Sequence, residues 1–174
     1  KIFQNCDCYD YEPIMKENKH LSVLGVGPLY VISILILTII ALILNQLNVV
    51  YKIKVLNKFL IILAIISILI AISLWVSAVL FSKVRTKIKE NTLVTTGVYS
   101  IVRNPIYSAF LFLFTGILLF TRNLYLLIFP VIFWIYLTYL LKETEEKWLK
   151  DKFKEEYQKY MKKVNRIIPN IFKK

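Results

Sequence analysis

The sequence predicts an all-α, polytopic membrane protein: about four transmembrane helices, a tight C-terminal helical hairpin, and a cytosolic amphipathic C-terminal helix. Three observations carry that expectation. Of 174 residues, 57% are hydrophobic, and the mean hydropathy is +0.60. The apolar residues collect in long runs without charge, and nearly all of the 23 Lys and Arg lie between those runs or after the last one. A soluble domain of this size could not solvate such a surface. The net charge of +12 would direct attention to nucleic acid in a soluble chain. Here the cations flank apolar spans, so membrane lipids with anionic headgroups are the expected partners and nucleic acid is not.

Residues 1–28 form a polar N-terminal segment, and its first 20 residues lack the apolar stretch of a signal peptide. Cys6 and Cys8, with His20 as the only histidine, are too few to build a metal site unaided. No metal is expected, and mechanisms that need paired histidines are excluded. Residues 29–82 hold two spans. Leu29 to Val50 covers ~33 Å at helical rise and Phe59 to Phe81 ~35 Å, each without the charge that would forbid crossing. Within the second, Ser67/Ala71 and Ser73/Ser77 repeat a small-xxx-small spacing that lets helices approach closely.

Residues 83–174 form the remaining unit. Ile106 to Thr121 (~24 Å) and Leu124 to Leu141 (~27 Å) are parted only by Arg122 and Asn123, which predicts a hairpin. Pro130 is expected to kink the second arm. With both termini on one side, the segments there carry three, five and eleven basic residues, leaving Lys52, Lys54, Lys58 and Arg122 opposite. The positive-inside rule then puts N- and C-termini in the cytosol. Beyond the last span, Glu146, Leu149, Phe153, Tyr157, Tyr160 and Val164 recur at helical spacing. Lys147, Lys150, Lys154 and Lys162 fall off that stripe, and Ile167, Ile168 and Pro169 close the helix.

Two places break the membrane pattern. Asn104 and Pro105 stand where an N-cap and a first helical proline belong. Arg103 beside them either snorkels to headgroups or completes an anion site at the helix N-terminus. Tyr99 shares its face if the stretch is helical. The second place is Glu143, Glu145 and Glu146. A solvated acidic turn explains any one of them, but Glu146 lies on the packing stripe, where a carboxylate is costly unless a cation or donors meet it. A zwitterionic amino-acid headgroup suits such a cation and carboxylate set; so does a structural Arg–Glu salt bridge.

The segment Gly97-Val-Tyr-Ser-Ile-Val-Arg-Asn-Pro-Ile-Tyr107, followed by Glu145-Glu146, Leu149, Phe153, Tyr157, Tyr160, Val164, Arg166 and Pro169, resembles the isoprenylcysteine carboxyl methyltransferase and phospholipid methyltransferase superfamily. The resemblance covers Leu93 to Pro169 and implies an S-adenosylmethionine-dependent methyltransferase. By position it implies that Gly97, Val98, Tyr99, Asn104, Pro105 and Tyr107 line the cofactor site. Glu145 and Glu146 would hold the cofactor ammonium, and Arg103 would position the acceptor. Arg103 and Glu146 are thus the catalytic candidates, Glu146 taking the proton if the acceptor is an amine. The sequence departs from the pattern with Asn104 in place of His, Ala109 in place of Gly, and Lys154 in place of the Gly that often follows Phe153. A lipophilic acceptor reaching the site from the bilayer is expected, with a slight preference for an isoprenylcysteine-type carboxylate over a lipid headgroup. The sterol-reductase family shares a similar Arg-His-Pro-x-Tyr segment and gives the alternative of a nicotinamide-dependent membrane reductase. A non-catalytic membrane scaffold is the third reading.

Overall fold

A computed structural model describes residues 26–47, 57–81 and 92–169. The described chain is helical throughout: α1 (Gly27–Gln46), α2 (Asn57–Val76, extended by a π turn over Ser77–Phe81), α3 (Pro105–Phe120), α4 (Ile128–Glu143) and α5 (Glu145–Lys163). Short 3-10 turns at Gly97–Ser100 and Leu124–Leu127 precede α3 and α4. Three segments, Gly27–Gln46, Lys58–Leu80 and Leu124–Glu143, are long and apolar enough to cross a membrane, and α3 is a shorter apolar helix. Cys6, Cys8 and His20 lie outside the described residues, as do residues 48–50 at the end of the predicted first span.

The shortest of the four apolar segments, α3, is the centre of the bundle. One side of α3 packs Leu111, Phe114 and Leu118 against Tyr30, Ile34 and Ala41 of α1 and Phe133, Leu137 and Leu141 of α4. Its other side meets α2 through Leu119 against Leu60 and Ala64, and through Ala109 against Leu74. At 16 residues, ~24 Å at helical rise, α3 is shorter than a bilayer core of ~30 Å, and the longer neighbours shelter it. Their outward faces expose Ile32, Ile36 and Ile43 on α1, Ile62 and Leu69 on α2, and Val131 and Ile135 on α4. Those faces suit lipid, since water would oppose so much exposed aliphatic surface.

The α2–α3 seam depends on small side chains. A Cβ on Gly116 would stand 2.6 Å from Ile68 Cγ1 and 3.1 Å from the Ala64 carbonyl oxygen. Only a glycine permits that approach. Ser67 donates to the Phe112 carbonyl at 2.7 Å across the seam, and Ala71 is buried. The second predicted small pair does not share this role: Ser73 is exposed and turns its hydroxyl back to Leu69 of its own helix.

The hairpin turns at residues 121–123, about where the sequence predicts, and the second arm opens with the 3-10 turn Leu124–Leu127. α3 ends at Phe120, and residues 121–127 intervene before α4 begins at Ile128. Arg122 takes a positive φ of 56° at this tip. Asn123 is buried, caps Tyr125 N–H with its side-chain oxygen and donates to Asn45 of α1 at 3.1 Å. Pro130 makes no mid-helix kink. It is the third residue of α4, where its missing N–H would have had no intrahelical partner.

The C-terminal helix carries the kink instead. Lys154 sits at φ 40°, ψ −114° inside α5, a conformation that costs a residue with a Cβ about 1–3 kcal/mol. This is the position of the departure from glycine noted above. Lys154→Gly should therefore stabilise the protein by about 1 kcal/mol, read by denaturant unfolding in detergent. An unchanged or lower midpoint would show that the bend imposes no strain.

Candidate functional site

The first helical residues of α3 and α5 meet at one end of the bundle, and the chain after α5 runs back between them. Thr144, with φ −118° and ψ −88°, breaks α4 from α5. Val164 is extended, and Val102 and Asn165 form an isolated parallel bridge. Arg103 N–H donates to the Asn165 carbonyl at 2.9 Å. Asn104 donates to the Arg166 carbonyl through its backbone N–H, at 3.2 Å, and its side-chain amide, at 3.0 Å. Ser108 hydroxyl donates to the Ile167 carbonyl at 2.5 Å, and Ile167 is buried. Asn104 thus occupies the N-cap position without capping the helix through its side chain. Its amide is spent on the returning tail, because those carbonyls would otherwise be left without donors.

Glu146 is fully buried. Arg166 forks onto it, Nε to Oε1 and Nη2 to Oε2, both at 2.7 Å. That pairing holds the Arg166 guanidinium above its usual range, the Glu146 hydrogen bonds outweighing partial burial. Arg103 Nη1 lies 3.1 Å from the same Oε1, with the Arg103 side chain 8% exposed. The arginine is not snorkelling. Its Nε and Nη1 are buried and lack a hydrogen-bond partner, so the Glu146 contact is Coulombic rather than a directed bond. Tyr157 is pushed up to about 12, first by burial and then by the Glu146 charge, with Arg103 and its hydrogen bond opposing.

Glu145 faces the other way along the helix start. Its Oε1 accepts from the Tyr107 hydroxyl, a very short contact, and from Val26 N–H at 3.1 Å. Burial raises its pKa, against the lowering effect of both hydrogen bonds. Tyr107 in turn lies edge-on to Tyr30, with ring centroids 6.1 Å apart. Tyr30 is fully buried and its hydroxyl has no partner. Glu143 is exposed, as a solvated turn requires.

Gly97 opens its 3-10 turn at φ +66°, the left-handed region that glycine enters freely. No atom lies within 4 Å of the position its Cβ would take. Val98 packs with Leu74, Val102 and Ala109. Ala109 therefore contributes to packing on the α2 side. Tyr99 does not share a continuous helix with Arg103, because the 3-10 turn ends at Ser100 and Val102 is already in the bridge. Its carbonyl accepts the Tyr160 hydroxyl at 2.5 Å, and its phenol is pushed up to about 12 by burial and by Glu145. Pro105 is buried at the first position of α3.

The structure thus brings Arg103 to Glu146, Tyr107 to Glu145, and Asn104 to the tail. Sequence reasoning gave no role to Arg166 or to the Val26 amide. A carboxylate on a packing stripe demanded cations, which could have pointed to Arg166. Nothing in the sequence marks a backbone amide 119 residues away. Among the described residues no cluster of His, Cys, Asp and Glu could hold a metal.

Family comparison assigns the chain, with its apolar spans, to the membrane methyltransferases. The model of the phospholipid methyltransferase family matches residues 57–156, more than half of the chain, and the protein belongs to that family. No curated protein and no solved structure matches it.

Glu145 also sets a pH dependence. Its folded pKa is raised, so its contribution to stability is fully present below the ordinary carboxylate range and is lost as pH rises through the raised value. Glu145→Gln keeps an acceptor for Tyr107 and Val26 while removing the titration. The variant should lose that decline and unfold at a higher denaturant concentration than wild type at neutral pH. Parallel pH–stability curves for the two proteins would contradict the assignment.

Proposed function

We propose that the protein is an S-adenosylmethionine-dependent methyltransferase acting on a lipophilic acceptor drawn from the bilayer. The observation that carries this reading is that two groups stand at the same end of the bundle: the Glu145 carboxylate, bonded to Tyr107, and an Arg103 guanidinium beside Glu146 whose buried Nε and Nη1 lack partners. A carboxylate and a cation with unused donors fit the ammonium and carboxylate of an amino-acid end, so the donor set suits the methionine part of that cofactor. Glu145 would take the ammonium, supported by its burial. Gly97, with open space around it, together with Val98, Tyr99, Asn104, Pro105 and Tyr107 would line the rest. Glu146, with both oxygens held by Arg166, we assign to holding Arg103 rather than to contacting the ammonium.

When bound, the cofactor supplies a methyl group already activated on a sulfonium. The chain's own part is to orient the acceptor, exclude water and neutralise the cofactor's charged end. A carboxylate acceptor of the isoprenylcysteine type needs no base, and Arg103 can orient it. An amine on a lipid headgroup must lose a proton, and Glu145, assigned here to the cofactor ammonium, is not free to take it. The basic segments flanking the spans support cytosolic termini and anionic lipid neighbours.

Calorimetric titration of S-adenosylmethionine into nanodisc-embedded protein tests the reading. Wild type should bind, and Glu145→Gln should bind roughly ten-fold more weakly, as expected for loss of one charge-assisted hydrogen bond. No binding to folded wild type would overturn it, and nicotinamide cofactors would then be titrated for the reductase alternative.

A further inference from the structure

Two arginines share one buried carboxylate, and they do not share it equally. Arg166 makes both directed bonds, at 2.7 Å each, and so satisfies both oxygens of Glu146. Arg103 is left with a 3.1 Å Coulombic contact, a hydrogen bond with Tyr157, and two buried nitrogen atoms that donate to nothing. The set holds two positive charges against one negative in a site where Glu146 is wholly enclosed and Arg103 nearly so. Buried guanidinium N–H groups without acceptors are costly, as is a buried uncompensated charge. Both costs fall if an oxyanion arrives at Arg103.

We propose that Arg166 is a positioning residue: by occupying both oxygens of Glu146, it keeps the Arg103 guanidinium available to receive a carboxylate or phosphate oxyanion. Without Arg166, Glu146 has Arg103 as its remaining cation, and the two would close into a one-to-one ion pair that consumes the free donors. That pair is balanced in charge, so the fold survives while the oxyanion receptor is lost. Arg166 is tied to the site by more than its guanidinium, because its carbonyl accepts both bonds from Asn104. The resemblance that includes Arg166 gives it no role, and the family match ends at residue 156, so its role is argued from this geometry. The inference rests on the methyltransferase reading above and names how its cation is kept free.

The oxyanion has two possible sources, the cofactor carboxylate or a lipid phosphate, and the test separates them. Arg166→Met and Arg166→Lys are compared with wild type in nanodiscs. One arm measures affinity for S-adenosylmethionine against its decarboxylated form, which keeps the sulfonium and the ammonium. The other measures retention of phosphatidic acid against diacylglycerol, which lacks the phosphate, by native mass spectrometry. Wild type should prefer the oxyanion-bearing probe roughly ten-fold in one arm, and that arm names the source. Arg166→Met should lose the preference while its affinity for decarboxylated S-adenosylmethionine holds and it still unfolds cooperatively, at a somewhat lower temperature because the tail loses its fork onto Glu146. Arg166→Lys, with one point contact in place of a fork, should restore part of it.

Three results overturn the inference: Arg166→Met keeping the wild-type preference, its losing decarboxylated-probe affinity and cooperative unfolding together, or wild type showing no preference in either arm. In the last case, binding of both nucleosides would leave the methyltransferase reading standing. Wild type binding neither nucleoside would remove that reading and this inference with it.

Discussion

The charge on Glu146 organises the functional end of the molecule. A carboxylate with no exposed surface must be met by cations or it will not stay ionised. Arg166 meets it from the chain after α5, and Arg103 from the segment before α3. Because those two residues come from opposite sides of the site, satisfying Glu146 draws the tail back against the start of α3. The Val102–Asn165 bridge and the bonds of Asn104 and Ser108 to tail carbonyls then follow as backbone satisfaction. One ion cluster thus fixes where the C-terminal helix ends and where the central helix begins.

The bundle supports that cluster by keeping α3 short and surrounded. Its N-terminus, Pro105, is a start defined by the residue type and not by a side-chain cap. Tyr107, two residues further in and still in the first turn, can therefore reach Glu145 at the start of α5. At the opposite end, the buried Asn45–Asn123 pair ties α1 to the hairpin tip. Between them apolar packing dominates, with Gly116 and the Ser67–Phe112 hydrogen bond drawing α2 and α3 together. Otherwise the polar contacts between elements lie at the two ends, where the chain changes direction.

Much of this was legible in the sequence because bilayers impose simple rules. Charge-free runs gave the spans, and a period of 3.6 placed Glu146, Tyr157, Tyr160 and Val164 on one buried face. A carboxylate on that face demanded partners, and the partners are there. The misreadings share a cause, which is that local type does not fix local role. Pro130 was read from its place in an apolar run, but the helix starts only two residues before it. Asn104 was read as a cap, yet a carbonyl brought from 62 residues away takes its amide. The bend at Lys154 was hidden because a regular stripe continues through it. Tertiary partners decided each case, and a single sequence does not display them.

The most direct test of this account compares the unfolding free energies of Glu146→Ala and Glu155→Ala in the same bilayer mimic. Glu155 is exposed on the same helix, so its loss should change stability by no more than about 0.5 kcal/mol. Glu146→Ala leaves two guanidiniums in a buried site without their carboxylate and should cost about 3–5 kcal/mol. Equal effects of the two changes would mean that the buried ion cluster does not organise this end of the protein.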